Sequence, residues 1–159
     1  MEKYQKDITQ YKEYQKIKTD SVTYLFKLND GRLCVGTHQR KMYIFKYLNN
    51  TFIKQITIPN YTSSITKIIQ LKNHLIICPT DDNNINFIKI FEDSYEIHYI
   101  IKINKKIVKI FQKYISFIEL LNNHIAVLVN DFKNDKLLIY NFNGDNYELI
   151  TVIKLFKSI

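Results

Sequence analysis

Glycine and proline are scarce in this chain, three and two residues among 159, and the scarcity excludes a good deal. Loops that cradle phosphate need repeated glycines for close backbone approach, and three scattered ones do not supply them. Two cysteines, Cys34 and Cys78, build neither a disulfide framework nor a four-cysteine zinc site. Tryptophan is absent, and arginine occurs only as Arg32 and Arg40. No apolar run reaches the roughly 18 residues that a membrane helix requires. Nucleophile elbow, phosphate loop and dinucleotide fingerprint are missing as well, so acyl or phosphoryl transfer has no residues to be assigned to. The expectation is a non-enzyme, with no catalytic residue, no cofactor and no metal site.

What is present is ordinary in bulk. With 46% hydrophobic and 24% charged residues, the composition is that of a globular protein of one domain with a real core. The amino terminus, Met1 to Asp7, has neither the apolar stretch of a signal peptide nor the arginine-rich character of a transit sequence, which predicts an intracellular, cytoplasmic setting and reduced thiols. The 23 basic and 15 acidic residues leave a net charge of +8. Such an excess raises RNA or an anionic membrane as a partner. Nearly all of it is lysine, however, accompanied by abundant Ile, Asn, Tyr and Phe, the residues of A- and T-rich codons. Compositional drift accounts for that pattern, and base or phosphate readout normally draws on the bidentate fork of arginine.

The chain repeats itself. Ser21-Val22-Thr23-Tyr24-Leu25-Phe26-Lys27-Leu28 is matched by the run from Ser64 to Leu71 and again by Tyr114 to Leu121. Three polar tripeptides follow, Asn29-Asp30-Gly31, Lys72-Asn73-His74 and Asn122-Asn123-His124, with the chemistry of turns between antiparallel strands. Each leads into a second apolar run, at Leu33 to Val35, Leu75 to Cys78 and Ile125 to Val129. A third run ends in Ile44-Phe45-Lys46, Ile90-Phe91-Glu92 and Ile139-Tyr140-Asn141, and fourth strands are predicted at 52–58, 96–102 and 147–153. Leu28, Leu71 and Leu121 stand 43 and 50 residues apart, the length of a propeller blade. Before the first unit, Tyr14 to Lys18 holds the place of a fourth strand, so a strand is expected over 13–18.

From Asp20 to Ile153 the pattern resembles the WD-repeat family of β-propellers. Ser21-Val22-Thr23, Leu28-Asn29-Asp30-Gly31-Arg32-Leu33, Val35-Gly36-Thr37 and Ile44-Phe45-Lys46 are similar to that family's first three strands and their turn. The departures are that no Gly-His pair opens a unit and no Trp-Asp closes one. The resemblance implies an all-β fold, a partial propeller of about three four-stranded antiparallel blades. Residues 1–20 are a short N-terminal extension, a possible outer strand of another blade, and residues 21–159 are the propeller segment, with units at about 21–60, 61–104 and 105–159. Net charge by unit is +5, −1 and +3, with +1 in the extension.

Candidate binding residues follow from the loops. His38, Arg40 and Lys41 form the densest short basic cluster in a loop of the first unit, and Asp81 and Asp82 occupy the corresponding loop of the second. Asp81-Asp82-Asn83-Asn84 lacks the glycine and distal glutamate of a calcium loop and reads as a solvated turn. His74 and His124 align with Gly31, where a left-handed backbone is expected, rather than forming a metal pair. These features predict a protein–protein interaction scaffold, with a basic RNA- or anionic-membrane-binding module as the alternative. Propellers close with four to eight blades, so three units predict a protein partner or self-association through open edges.

Overall fold

The turn after the first apolar run closes in the same way three times, and each sheet grows from it. Leu28 N–H donates to the Arg32 carbonyl, Leu71 N–H to Leu75 and Leu120 N–H to His124, all at 2.8 Å. Gly31 and His74 supply the left-handed residue of this turn, with φ of 87° and 67°; in the first two sheets it is the third of the three residues between the paired positions. The computed structural model describes residues 15–80, 82, 84–103, 115–121, 124–129, 135–144 and 146–155.

Three four-stranded antiparallel sheets result. The first runs in chain order through β1 (Val22–Lys27), β2 (Leu33–Thr37), β3 (Met42–Leu48) and β4 (Thr51–Ile58). The second contains β5 (Ile69–Gln70), β6 (Ile76–Pro79), β7 (Asn84–Ile90) and β8 (Tyr95–Lys102), and the third β9 (Ile115–Glu119), β10 (Ile125–Val129), β11 (Asp135–Phe142) and β12 (Tyr147–Leu155). The arrangement is blade-like and all-β, with no helix among the described residues and no sheet closed into a barrel. A one-residue bulge recurs in the pairing of the last two strands of every sheet, at Ile44/Phe45, Phe87/Ile88 and Ile139/Tyr140.

Three expectations are corrected. The register of the third repeat is Leu120 on Leu28 and Leu71, not Leu121, because Leu120 makes the turn hydrogen bond and Leu121 is 80% exposed whereas Leu28 and Leu71 are buried. His124 consequently aligns with Arg32 and Leu75 rather than with Gly31 and His74, and its carbonyl closes the turn. The first strand of the second unit, expected from Ser64, is regular only at Ile69–Gln70, with an isolated bridge between Ile65 and Thr80. Pro79 is the cause: its carbonyl accepts from Thr66 N–H, so the N–H it lacks is missing from that same side of the ladder. Residues 15–19, finally, form no strand; residues 13 and 14 of that expectation lie outside the described residues.

Alternation along the strands places the core on both faces of the middle sheet. Ile76, Cys78 and Ile88 pack with Cys34, Met42, Ile44, Ile56 and Ile58 of the first sheet. Their neighbours Ile77, Ile85 and Phe87 turn the other way, onto Ile125, Val127, Val129, Leu138 and Tyr140 of the third. Phe87 stacks on both Tyr99 and Tyr147, with centroids 4.3 and 4.9 Å away, and those two rings stack on each other at 5.8 Å. Both cysteines lie in the core between the first two sheets, where burial pushes each thiol well above its usual range. They act as small hydrophobes and not as nucleophiles.

Two substitutions test this packing. A Cβ built on Gly36 would lie 2.5 Å from Ile65 Cγ2 and 3.3 Å from Ile68 Cδ1, and both isoleucines are fully buried. Gly36→Ala is expected to cost about 1–3 kcal/mol by overpacking, and Phe87→Ala about 3–5 kcal/mol through the cavity it leaves. Urea denaturation followed by far-ultraviolet circular dichroism reads both; Gly36→Ala at wild-type stability would show that the first two sheets are not seated on each other as described.

Candidate interaction face at the sheet ends

A short β-hairpin presents whatever lies in its turn, and two neighbouring hairpins present a surface if something holds their tips in register. In the first sheet the turn between β2 and β3 follows Thr37, and in the second the turn between β6 and β7 follows Thr80. Each is closed by that threonine. Thr37 N–H and Oγ1 both reach the Lys41 carbonyl, at 3.0 and 2.9 Å. Thr80 N–H reaches the Asn84 carbonyl at 3.0 Å, and its hydroxyl donates to Asp82 Oδ1 at 2.6 Å. Both threonines are buried polar residues, and each is satisfied by its turn.

The segment after β4 binds the two tips together. Tyr61 N–H donates to the Arg40 carbonyl, Ser64 Oγ lies 2.8 Å from His38 Nδ1 and donates to the His38 carbonyl at 3.1 Å, and Asn84 Nδ2 donates to Thr62 Oγ1 at 3.1 Å. Residues 61–64 thus cross from one hairpin to the next and hydrogen-bond to both. Arg40 sits at φ 63°, a left-handed position that turns its side chain out to solvent.

The structure brings His38, Arg40 and Lys41 together on one turn and places Asp82 on the neighbouring one, while Asp81 lies outside the described residues. The roles differ. Arg40 and His38 are exposed. Lys41 is committed to Asp20, with Nζ 3.1 Å from Oδ2, and Tyr43 Oη donates to the same oxygen at 2.6 Å. Asp82 is held inside its own turn, accepting from Thr80 and from Asn84 Nδ2. Partial burial alone would raise its carboxyl, but donation from the Thr62 and Thr80 hydroxyls outweighs that and keeps it below the ordinary carboxylate range. Asp20 is lowered too, first by the Tyr43 hydroxyl and then by Lys41, and the same contact raises Tyr43.

The opposite end of the sheets carries a different device. Arg32 Nη1 donates to the Phe91 and Glu92 carbonyls at 2.7 and 3.2 Å, while its Nε and Nη2 hold Asp30. This guanidinium ties the first sheet to the end of β7 beside an open groove of about 570 Å³. Sequence reasoning missed Asp20, Tyr43, Ser64 and the pairing of Thr37 with Thr80. The last of these was available, since the two threonines stand 43 residues apart, the spacing of the first repeat. Among the described residues no three His, Cys, Asp or Glu side chains approach closely enough to hold a metal ion, and no helix is long and apolar enough to cross a membrane. No protein-family model matches the chain, and no curated protein matches it.

Acid should loosen both carboxylates. A carboxyl depressed in the folded state contributes stability above its ordinary pKa of 3.8 and loses it as pH falls through the depressed value. Tyr43→Phe is expected to move the Asp20 titration up toward that ordinary value, and Thr80→Val to do the same for Asp82. Carbon-detected NMR titration of the two carboxyls measures this; unchanged midpoints in the variants would show that the hydroxyls do not donate to them.

Proposed function

We propose that the chain is a non-enzymatic protein–protein interaction scaffold built on a degenerate WD-repeat-like β-propeller segment. The observation that carries this reading is the joined pair of hairpin tips, in which exposed polar side chains stand on a frame fixed by hydrogen bonds to residues 61–64. A rigid presenting surface loses little conformational freedom on binding, which is how such a face gains affinity without a deep pocket. Repetition of the blade-like unit, with the same turn and the same bulge, supports the propeller reading. His38 and Arg40 make the outward contacts, and Lys41 and Asp82 shape the turns.

The alternative, a basic RNA- or anionic-membrane-binding module, calls for lysines gathered on one face. Instead Lys27, Lys46, Lys54, Lys89, Lys102, Lys136 and Lys154 are spread over strands of all three sheets. Three of these are already engaged, Lys46 with Glu92 and Lys54 and Lys89 over the rings of Tyr43 and Phe91, and Lys67 donates to Ser116.

Cross-linking and mass spectrometry in native cells, comparing wild type with His38→Ala and Arg40→Gly, tests the proposal. Arg40→Gly keeps the left-handed backbone and removes only the side chain. A protein recovered with wild type is expected to bind the double variant roughly 5- to 30-fold more weakly, as loss of polar contacts near an interface centre commonly does. A partner that binds the variant equally well, or nanomolar binding to RNA or to phosphatidylserine vesicles at physiological salt, would overturn it.

A further inference from the structure

The turn between β11 and β12 holds the one Asn-Gly pair in the chain, Asn143-Gly144. In such a pair the glycine amide nitrogen can attack the asparagine side-chain carbon, because glycine has no side chain to shield that nitrogen. The rate depends on how the turn holds three groups: the electrophilic carbon, the attacking nitrogen and the amine that leaves. Asn143 and Gly144 are both exposed, so water reaches them.

All three groups are arranged for the reaction. Asn143 Oδ1 accepts the Asn146 N–H at 2.8 Å, which draws electrons from Cγ and sets a donor where negative charge collects when that carbon is attacked. Asn143 Nδ2 donates to Glu148 Oε1, also at 2.8 Å, so a carboxylate lies against the amine that must leave. Asn143 N–H donates to the Asn146 carbonyl at 3.0 Å and closes the turn around these contacts. Gly144 sits at φ 105°, and a Cβ there would meet nothing within 4 Å. Its N–H has no hydrogen-bond partner among the described residues.

A second turn of the same fold shows the opposite arrangement. Asp30-Gly31 is the other place where glycine follows an Asx residue. There Gly31 N–H donates to the Leu28 carbonyl at 2.9 Å, and the Asp30 carboxylate is held by Arg32. The nitrogen is already committed and the carbon it would attack belongs to a carboxylate, which is a poor electrophile.

We propose that Asn143 is a self-modification site, at which the folded turn accelerates its own deamidation with Glu148 as the proton carrier. Gly144 N attacks Asn143 Cγ and forms the new C–N bond. Glu148 takes the proton lost by that nitrogen, by way of solvent, and delivers it to Nδ2; the Cγ–Nδ2 bond breaks and ammonia leaves. Water then opens the five-membered imide, giving aspartate or the isoaspartyl linkage at 143, with no change of oxidation state. The product carries a carboxylate where Nδ2 had donated, so like charges face each other across the end of the β11–β12 hairpin. The next residue before Glu148 is Tyr147, whose buried ring stacks on Phe87 of the second sheet. Conversion therefore loosens the joint between the second and third sheets, and the stack carries a timer on its own integrity. This turn belongs to a different sheet from the joined hairpin tips, and the site stands whether or not those bind a partner.

Peptide mapping by mass spectrometry on the full chain, held at neutral pH and sampled over time, reads the exchange of amide for acid at residues 143–144. The folded chain is expected to convert at least about tenfold faster than the same chain unfolded in urea, the low end of what a positioned acid–base group contributes. Glu148→Gln keeps an oxygen to accept from Nδ2 but removes the base, and is expected to slow the folded chain by about the same factor; circular dichroism checks that the variant folds. Asn143→Asp, which has the sequence of the product, is expected to unfold at a lower urea concentration than wild type. A folded chain that converts no faster than the unfolded one, a Glu148→Gln chain that converts at the wild-type rate, or an Asn143→Asp chain as stable as wild type would each overturn the inference.

Discussion

Everything in this molecule depends on the middle sheet being buried on both of its faces. Residues 76–78 and 85–88 alternate sides of a single sheet and are buried at every step, and the one polar side chain among them, Asn86, donates to the Cys78 carbonyl at 3.1 Å. A two-layer sandwich needs only half of those positions to be apolar. The doubled requirement forces three layers, and it sets the order in which they stack. Phe87 with Tyr99 and Tyr147 anchors one contact, and the interlock of Gly36 with Ile65 sets the distance of the other. Arg32 then ties the first sheet to the second from outside, through the Phe91 and Glu92 carbonyls.

Most of the architecture was legible as sequence because strand and turn signals are local. Asn29-Asp30-Gly31 and Lys72-Asn73-His74 announce a left-handed residue, and the alternation on either side of them is short and clean. Three features were not legible. The third turn slipped by one residue because Leu120 and Leu121 are adjacent and chemically identical, and only burial distinguishes them. Shortening of β5 comes from a proline on the neighbouring strand, which a reading along one segment does not weigh. In place of the strand expected before β1, the segment is fastened by the Gln15 side-chain amide to the Phe52 backbone.

For the candidate residues, the sequence showed charge and not contacts. Charge density picked out His38, Arg40, Lys41 and Asp82, and all four lie at the tips of adjacent hairpins. Two of them spend their charge inside the fold, on Asp20 and on Thr80 with Asn84. The residues that make the tips a single surface, Thr62 and Ser64, are small, neutral and inconspicuous in a sequence. Their part depends on long-range contact, since Ser64 meets His38 across 26 residues and Thr62 meets Asn84 across 22.

The Gln15 amide has a consequence for the behaviour of the chain in a crowded solution. Phe52 lies on the outermost strand of the first sheet, and its N–H and C=O face away from β3 as a free donor and acceptor would. A side-chain amide carries the same pair of groups as a peptide bond, and Gln15 presents them at 2.7 and 2.8 Å. A foreign strand adding to that edge would seek the same two atoms. The fold thus closes its first edge with an imitation of one residue of β-strand, and a chain that has lost Gln15 exposes there a template for cross-β growth.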